Sequence, residues 1–329
     1  MSVGSPLLDL PTMGADRERV EQAMLAAVRT SDDYLTEIAS HLISAGGKRL
    51  RPVMTIVASL VADSVPGSAS NDAIQGGIAC ELVHLGSLYH DDVMDESTTR
   101  RGVETVNAKW GNLQAILAGD FLLARASEIA ASLGTEVAGL LARTIGQLCE
   151  GQIEELRFTY KPERPLDAYL SSIEGKTASL YSTAARIGGI VAGLDRPAID
   201  SLTAYGTAYG MVFQIVDDIL DITATDAELG KPAGHDMVEG VYTLPVMHTL
   251  AAGGPGAEEL RRMLGRPLNR RKQRRALDIV RSGNGVELAI ATAKEFVVRA
   301  ETACDALPST PATNALRRAT ESLLSSVVR

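Results

Sequence analysis

The chain is punctuated at helix-length intervals. Runs with apolar residues at helical spacing alternate with glycine and proline, and no segment shows the apolar–polar alternation of a half-buried strand. Leu35, Ile38 and Leu42 fall on one helical face, and that run stops at Gly46–Gly47. Glycine accepts the left-handed geometry of a helix end, and Pro52 suits the first turn of the next helix. Further helices are predicted at about 72–95, 112–133, 135–156, 166–194, 198–221, 245–252, 269–282, 285–305 and 313–328. These runs are rich in Ala, Gly and Ser, which lets helices approach closely. One long stretch, Ile222–Leu244, reads as irregular, and a loop of that length in a compact domain marks function or disorder. No repeat, linker or composition break divides residues 1–329. The expectation is one all-α domain, a bundle of ten or more helices around a central cavity.

Composition excludes several classes of function. The net charge of −9 makes a poor general binder of phosphate backbones, and aromatics at 4% provide no base-stacking platform. No nucleic-acid role is expected. Cys80, Cys149 and Cys304 are far apart and show neither CxxC nor CxxH spacing. A disulfide framework or zinc site is therefore not expected, and a reducing cytoplasm fits. The N-terminal residues lack the pattern of a signal peptide. Ser201–Val216 is uncharged but contains Thr, Tyr, Gly and Gln, and reads as a buried helix instead of a membrane span.

Two segments repeat one acidic pattern. "SLYHDDVMDESTTRRG" carries Asp91, Asp92 and Asp95, and "MVFQIVDDILD" carries Asp217, Asp218 and Asp221. Positions i, i+1 and i+4 share one broad helix face, where three like charges repel. Their neighbours are apolar, and a partly buried carboxylate needs a cation or a proton. A single such cluster reads most simply as a solvated acidic face. Two in one chain, each near the end of an apolar helix, read as ligands for Mg²⁺. This hard ion takes oxygen donors and completes its shell with water and substrate phosphate.

The cations cluster as well. Lys48, Arg49 and Arg51 lie in "GGKRLRP", Arg100 and Arg101 follow the first acidic cluster, Lys176 lies in "EGKTASL" and Lys231 in "GKPAGHD". Each alone reads as a surface charge. Beside acidic metal clusters they read as diphosphate clamps, a task that suits guanidinium groups. His84 stands seven residues before Asp91 and is expected to project toward the same place. There is no GxxxxGK[ST], no GxGxxG and no Ser or Cys nucleophile arrangement. These parts suit ionisation of a carbon that bears diphosphate, in a cavity that shields a carbocation from water.

"GGKRLRP", "ELVHLGSLYHDDVMDESTTRRG", "EGKTASL", "GMVFQIVDDILD" and "GKPAGHD…TLP", in that order, resemble the trans-polyprenyl diphosphate synthases. The resemblance implies the helical isoprenoid-synthase bundle, a homodimer, and condensation of isopentenyl diphosphate with an allylic diphosphate. By resemblance, Asp91, Asp92 and Asp95 bind Mg²⁺ and the allylic diphosphate, and Asp217, Asp218 and Asp221 hold a further Mg²⁺. Arg100, Lys176, Thr177, Gln214 and Lys231 would contact the allylic substrate. Lys48, Arg51, His84 and Arg101 would hold isopentenyl diphosphate. The departing diphosphate is the expected base. One departure stands out, because Val241 occupies a position where the family often carries lysine.

Product length is read along the helix that leads to Asp91. A helical turn rises about 5.4 Å, roughly one extended five-carbon unit. Ser87, Gly86, Val83 and Cys80 lie at i−4, i−5, i−8 and i−11 from Asp91, and no aromatic occurs from Gly77 to Leu88. Tyr89 is expected to point away. An open tunnel and a long product, thirty carbons or more, are expected.

Other readings stay in view: a shorter-chain synthase, or a non-catalytic subunit of a two-component synthase. A terpene cyclase fits poorly, since Thr225 stands four residues beyond Asp221. A di-iron bundle fits poorly too, since Glu81–His84 is the one ExxH pair. The basic run Arg266, Arg270, Arg271, Lys272, Arg274, Arg275 and Arg281 reads as a solvated face, with loose contact to anionic membrane as the alternative.

Overall fold

Helices begin where short polar side chains can cap them. The computed structural model describes residues 5–225 and 232–328. Its first helices are α1 (Met13–Ala27), α2 (Asp33–Ser44), α3 (Leu50–Ser59) and α4 (Asn71–Met94). Then follow α5 (Val106–Trp110), α6 (Asn112–Ser132), α7 (Thr135–Arg157), α8 (Leu166–Ile173), α9 (Ser179–Val191) and α10 (Arg196–Thr223). Asp32 caps α2 through the amides of Tyr34 and Leu35, Ser70 caps α4, and Asp195 caps α10 just ahead of Pro197. Such caps satisfy amides that the first helical turn leaves unpaired. Further helices are His235–Glu239, Leu244–Ala252, Gly254–Met263, Arg270–Ser282, Gly285–Asp305 and Pro311–Ser325.

α4 runs through the middle of the bundle. It packs against α3, α6 and α9, while α10 packs against α9 and Gly285–Asp305. Ile78, Leu82, Val83 and Leu85 of α4 are fully buried. His84, Ser87 and Asp91 stay half-buried along one face, and most of the helix is packed. Truncating Leu82 to alanine in so dense a core costs about 2–5 kcal/mol.

The expected all-α class holds, with local departures. Met13–Ala27 went unforeseen, because Met13, Val20 and Met24 are its sparse buried apolar positions among charged neighbours. The run predicted at 166–194 is divided by a π turn at Glu174–Ala178, which carries Lys176 and Thr177. Ile222–Leu244 is less irregular than expected, since α10 reaches Thr223 and a short helix spans His235–Glu239. A two-residue hairpin pairs Thr99–Arg100 with Val103–Glu104. Arg101 and Gly102 turn it with φ of 53° and 79°. Such primed turns match the twist of paired strands. Among the described residues no helix is long and apolar enough to cross a membrane.

Candidate active site

Both acidic clusters sit at the C-terminal ends of long helices. Asp91 and Asp92 occupy the last turn of α4, Asp95 is its C-cap, and Asp217, Asp218 and Asp221 lie in the last two turns of α10. The carbonyl end of a helix carries partial negative charge, so carboxylates there are unfavourable until a cation arrives. The structure brings Asp95, Asp217, Asp218, Lys176 and Gln214 onto the wall of one cavity of about 390 Å³. A larger cavity of about 690 Å³, lined by Arg143, Glu150, Asp167 and Glu174, holds no residue of either aspartate motif.

The first cluster is tied to cations. Arg100 Nε lies 2.7 Å from Asp92 Oδ1. The other oxygen of Asp92, Oδ2, is buried without a hydrogen-bond partner among the described residues. Burial raises the pKa of Asp91, Asp92 and Asp95 against the pull of Arg100, and for Asp95 burial together with Asp91 pushes it up to about 6. Burial outweighs the cations around these carboxylates. The orphaned oxygen and the all-oxygen donor set suit a hard divalent cation.

In the second cluster, Asp218 is held by neutral donors. Gln214 Nε2 donates to Asp218 Oδ1 at 2.8 Å, and the Tyr169 hydroxyl donates to Oδ2. Thr177 Oγ1 donates to Gln214 Oε1 at 2.8 Å. Burial, then the charge of Asp236, raises Asp218 well above the usual carboxylate range. Asp221 also binds the chain beyond the helix. Its side chain accepts from the amides of His235 and Asp236, and its carbonyl accepts from Gly234. It thereby anchors the segment that brings Asp236, Glu239 and Val241 to the cavity. Lys231 lies outside the described residues.

Lys176 is aimed by close packing. A Cβ on Gly151 would lie 2.6 Å from Lys176 N, and one on Gly175 would lie 2.8 Å from Gln147 O. Two glycines therefore let α7 cross the π turn in contact. π turns recur at functional sites because the inserted residue re-aims its neighbours. Lys176 Nζ pairs with Glu155 at 2.7 Å. Burial opposes its charge, but Glu155 and Asp91 outweigh burial and raise its pKa.

The hairpin aims its arginines in opposite directions. Arg100 reaches back to Asp92, and Arg101 donates to the carbonyls of Leu42 and Gly46. His84 lies among Arg51, Arg101, Arg100 and Arg49, and burial plus those charges holds its imidazole neutral. Arg51 lies 4.8 Å over the Tyr181 ring, and its Nε has no partner among the described residues. Lys48 is exposed nearby in sequence. Arg49 belongs to the scaffold: it is buried and bonded to Glu21, Glu81 and the Ile43 carbonyl. Arg100 joins the two groups, contacting Asp92 and lying near His84.

The expected tunnel floor needs correction. A Cβ on Gly86 would lie 3.0 Å from the Gly119 carbonyl and 3.3 Å from Leu123. Gly86 therefore marks a close crossing of α4 and α6, not an open channel. Cys80 and Val83 are fully buried, and Ser87 Oγ donates to its own helix at His84 O. Tyr89 does point away, donating to the carbonyls of Ile38 and Ala39. The basic run is also partly structural, because Arg275 pairs with Glu259 and Arg281 donates to Ile222 and Ala224.

Tyr169, Glu155, Gln152, Asp236 and Glu239 escaped the reading from sequence. Glu155 and Gln152 stand one turn apart on α7, but nothing local marks them as site residues. Only the crossing at Gly151 brings them to Lys176.

A helical cavity with carboxylates at two helix ends and a nearby guanidinium–imidazole cluster defines a site for ionising diphosphates. The profile of the Polyprenyl synthetase family matches residues 32–321, and the chain belongs to that family. It is thus a prenyltransferase. The nonaprenyl diphosphate synthase of Mycobacterium tuberculosis is 39% identical over 299 residues, covering 91% of this chain and 88% of that protein. The octaprenyl diphosphate synthase of Escherichia coli is 32% identical, covering 92% of this chain and 93% of its own length. A polyprenyl synthase from Caulobacter crescentus, solved with calcium and isoprenyl diphosphate, superposes with a TM-score of 0.89. It is 32% identical, and the match covers 97% of each chain.

Proposed function

We propose that the chain adds isopentenyl diphosphate head-to-tail to an allylic diphosphate, repeatedly, to give a long all-trans polyprenyl diphosphate, with Mg²⁺ as the divalent cation. The observation that carries this is one cavity walled by Lys176 and carboxylates of both aspartate motifs. The long-chain relatives support the product class.

The residues divide the work. Lys176 and Arg100 neutralise the allylic diphosphate as it leaves, which favours ionisation. Arg51, Arg101 and Lys48 hold the second diphosphate, and neutral His84 supplies a hydrogen bond without adding charge. Asp91, Asp92, Asp95, Asp217, Asp218 and Asp221 would hold Mg²⁺, which supplies Lewis-acid stabilisation of the leaving group when bound. Leu156, Ile173 and Met94 add apolar surface to a wall that is otherwise mostly polar. The released diphosphate takes the proton.

Purified chain, isopentenyl diphosphate and farnesyl or geranylgeranyl diphosphate should give labelled products beyond thirty carbons, and EDTA should abolish them. Products that stop at twenty carbons would overturn the long-chain reading. A second reading comes from heptaprenyl diphosphate synthase component 2 of Geobacillus stearothermophilus, 42% identical over 237 residues, 72% of this chain and 73% of that protein. Activity only after a second protein is added would favour it. A homodimer is also proposed. Leu113 and Leu117 of α6 are 75% and 67% exposed, beside Ile116. A cluster of large apolar side chains on one helix face marks a contact surface. Light scattering should give twice the chain mass, and Leu117→Glu should return it to one.

A further inference from the structure

Asp218 is almost fully buried, and the protein occupies both of its oxygens with uncharged donors. One donor, Gln214, is itself fixed by Thr177. The other, Tyr169, lies on α8 and is 1% exposed. Behind Tyr169 stands a buried guanidinium. Arg164 lies 5.4 Å over the Tyr169 ring and donates to Ala168 O and Ser172 Oγ. Its Nε has no hydrogen-bond partner among the described residues. Arg164 is not among the residues that line the cavity. Its packing against the phenol is the contact through which it bears on Asp218.

We propose that Tyr169, buttressed by Arg164, is a positioning residue that orients the Asp218 carboxylate toward the divalent cation and diphosphate. This rests on the functional reading above. A neutral hydroxyl orients a carboxylate without cancelling its charge. A lysine or arginine in the same place would form an ion pair and compete with the incoming cation. The ring keeps Arg164 one side chain away, so the group that meets the Asp218 oxygen is a neutral hydroxyl. Partners one shell behind a ligand set its direction and its affinity in this way.

Three variants test it: Tyr169→Phe, Arg164→Met and Tyr205→Phe. Tyr205 is an equally buried phenol that donates to Leu316 O at 2.7 Å, so it controls for the loss of a buried hydrogen bond. The readouts are melting temperature, Mn²⁺ binding with inorganic diphosphate by calorimetry, and the Mg²⁺ concentration for half-maximal turnover. Tyr169→Phe should weaken Mn²⁺ binding and raise the Mg²⁺ requirement by about 10–100-fold, the cost typical of losing a group behind a ligand. Arg164→Met should do the same to a smaller degree. Tyr205→Phe should leave both unchanged, whatever its melting temperature. Mn²⁺ binding by Tyr169→Phe equal to wild type would overturn the proposal, as would equal weakening in Tyr205→Phe. Should Tyr169→Phe not fold, Arg164→Met against Tyr205→Phe decides. A wild type that binds Mn²⁺ but transfers no prenyl group would sink the functional reading alone, and the binding comparison would still decide the role of Tyr169.

Discussion

The two DDxxD segments are alike on paper and unlike in the folded chain. At the end of α4, Asp92 is paired directly with Arg100, one of its oxygens is an orphan, and Asp95 sits at the open rim. At the end of α10, Asp218 is held by Tyr169 and Gln214, and Asp221 faces the amides of His235 and Asp236. Asp92 is paired with a guanidinium, and Asp218 is held by neutral hydrogen-bond donors. A carboxylate in an ion pair gives up that pair when a cation binds, whereas one held by neutral donors can keep its geometry. One motif thus places an aspartate against a guanidinium in one helix and against neutral donors in the other.

The largest expected effect separates the clusters by stability. Asp92→Asn and Asp218→Asn should each lower kcat by about 10²–10³-fold, as removal of preorganised electrostatic groups does. Their melting temperatures without metal should differ, with Asp218→Asn the more stable of the two. Asp218→Asn should be more stable than wild type, because burial makes its ionised form costly at neutral pH. Asp92→Asn should gain less or lose stability, because Arg100 loses its charged partner while burial of the carboxylate is relieved. Equal shifts in one direction would erase the contrast.

Gly151→Ala is expected next. The added Cβ would meet Lys176 N at 2.6 Å, so the π turn must move. A loss of about 1–3 kcal/mol follows from such overpacking. The activity loss should exceed that of Gly86→Ala, whose new Cβ meets α6 instead of Lys176. Urea melts and steady-state kinetics check both.

Asp221→Ala should cost about 0.5–2 kcal/mol, the scale of a lost cap. Hydrogen exchange should rise at the amides of His235 and Asp236, which lose their side-chain acceptor, with little change near Asp95. Protection unchanged at those amides would remove the anchoring role.

The smallest effect is in the pH dependence. The Asp95 carboxyl is raised from 3.8 to about 6 in the fold. A raised folded pKa contributes stability fully present below the unfolded value, and this is lost as pH rises through about 6. The metal-free melting temperature should therefore fall across that window relative to Asp95→Asn. His84, lowered by burial and arginines, works with the opposite sign, so the difference between wild type and variant is the quantity to read. Mg²⁺ with diphosphate should flatten it.

Much of the fold was legible because helices announce themselves locally. Ser70, Asp195 and Gly134 mark ends, and apolar spacing marks the runs between them. The aspartates and Lys176 were legible for the same reason, as each lies in a contiguous segment with a chemical logic of its own. Tyr169 was not, because a tyrosine on an apolar helix face reads as core. Its hydroxyl gains meaning only from Asp218, 49 residues away. Gly86 misled for a related reason. A missing side chain leaves space only if no neighbour takes it, and the α6 backbone does.

By itself the sequence determined the helical class, the two acidic clusters, the cations beside them and the reaction they permit. Periodicity, caps and charge are properties of neighbours along the chain, and they survive without a fold. Tertiary structure alone decided which carboxylate is paired, which is fixed and which anchors a segment, and which arginine is scaffold. Those outcomes depend on burial and on partners from distant helices, because desolvation and hydrogen-bond geometry exist only once the chain has packed.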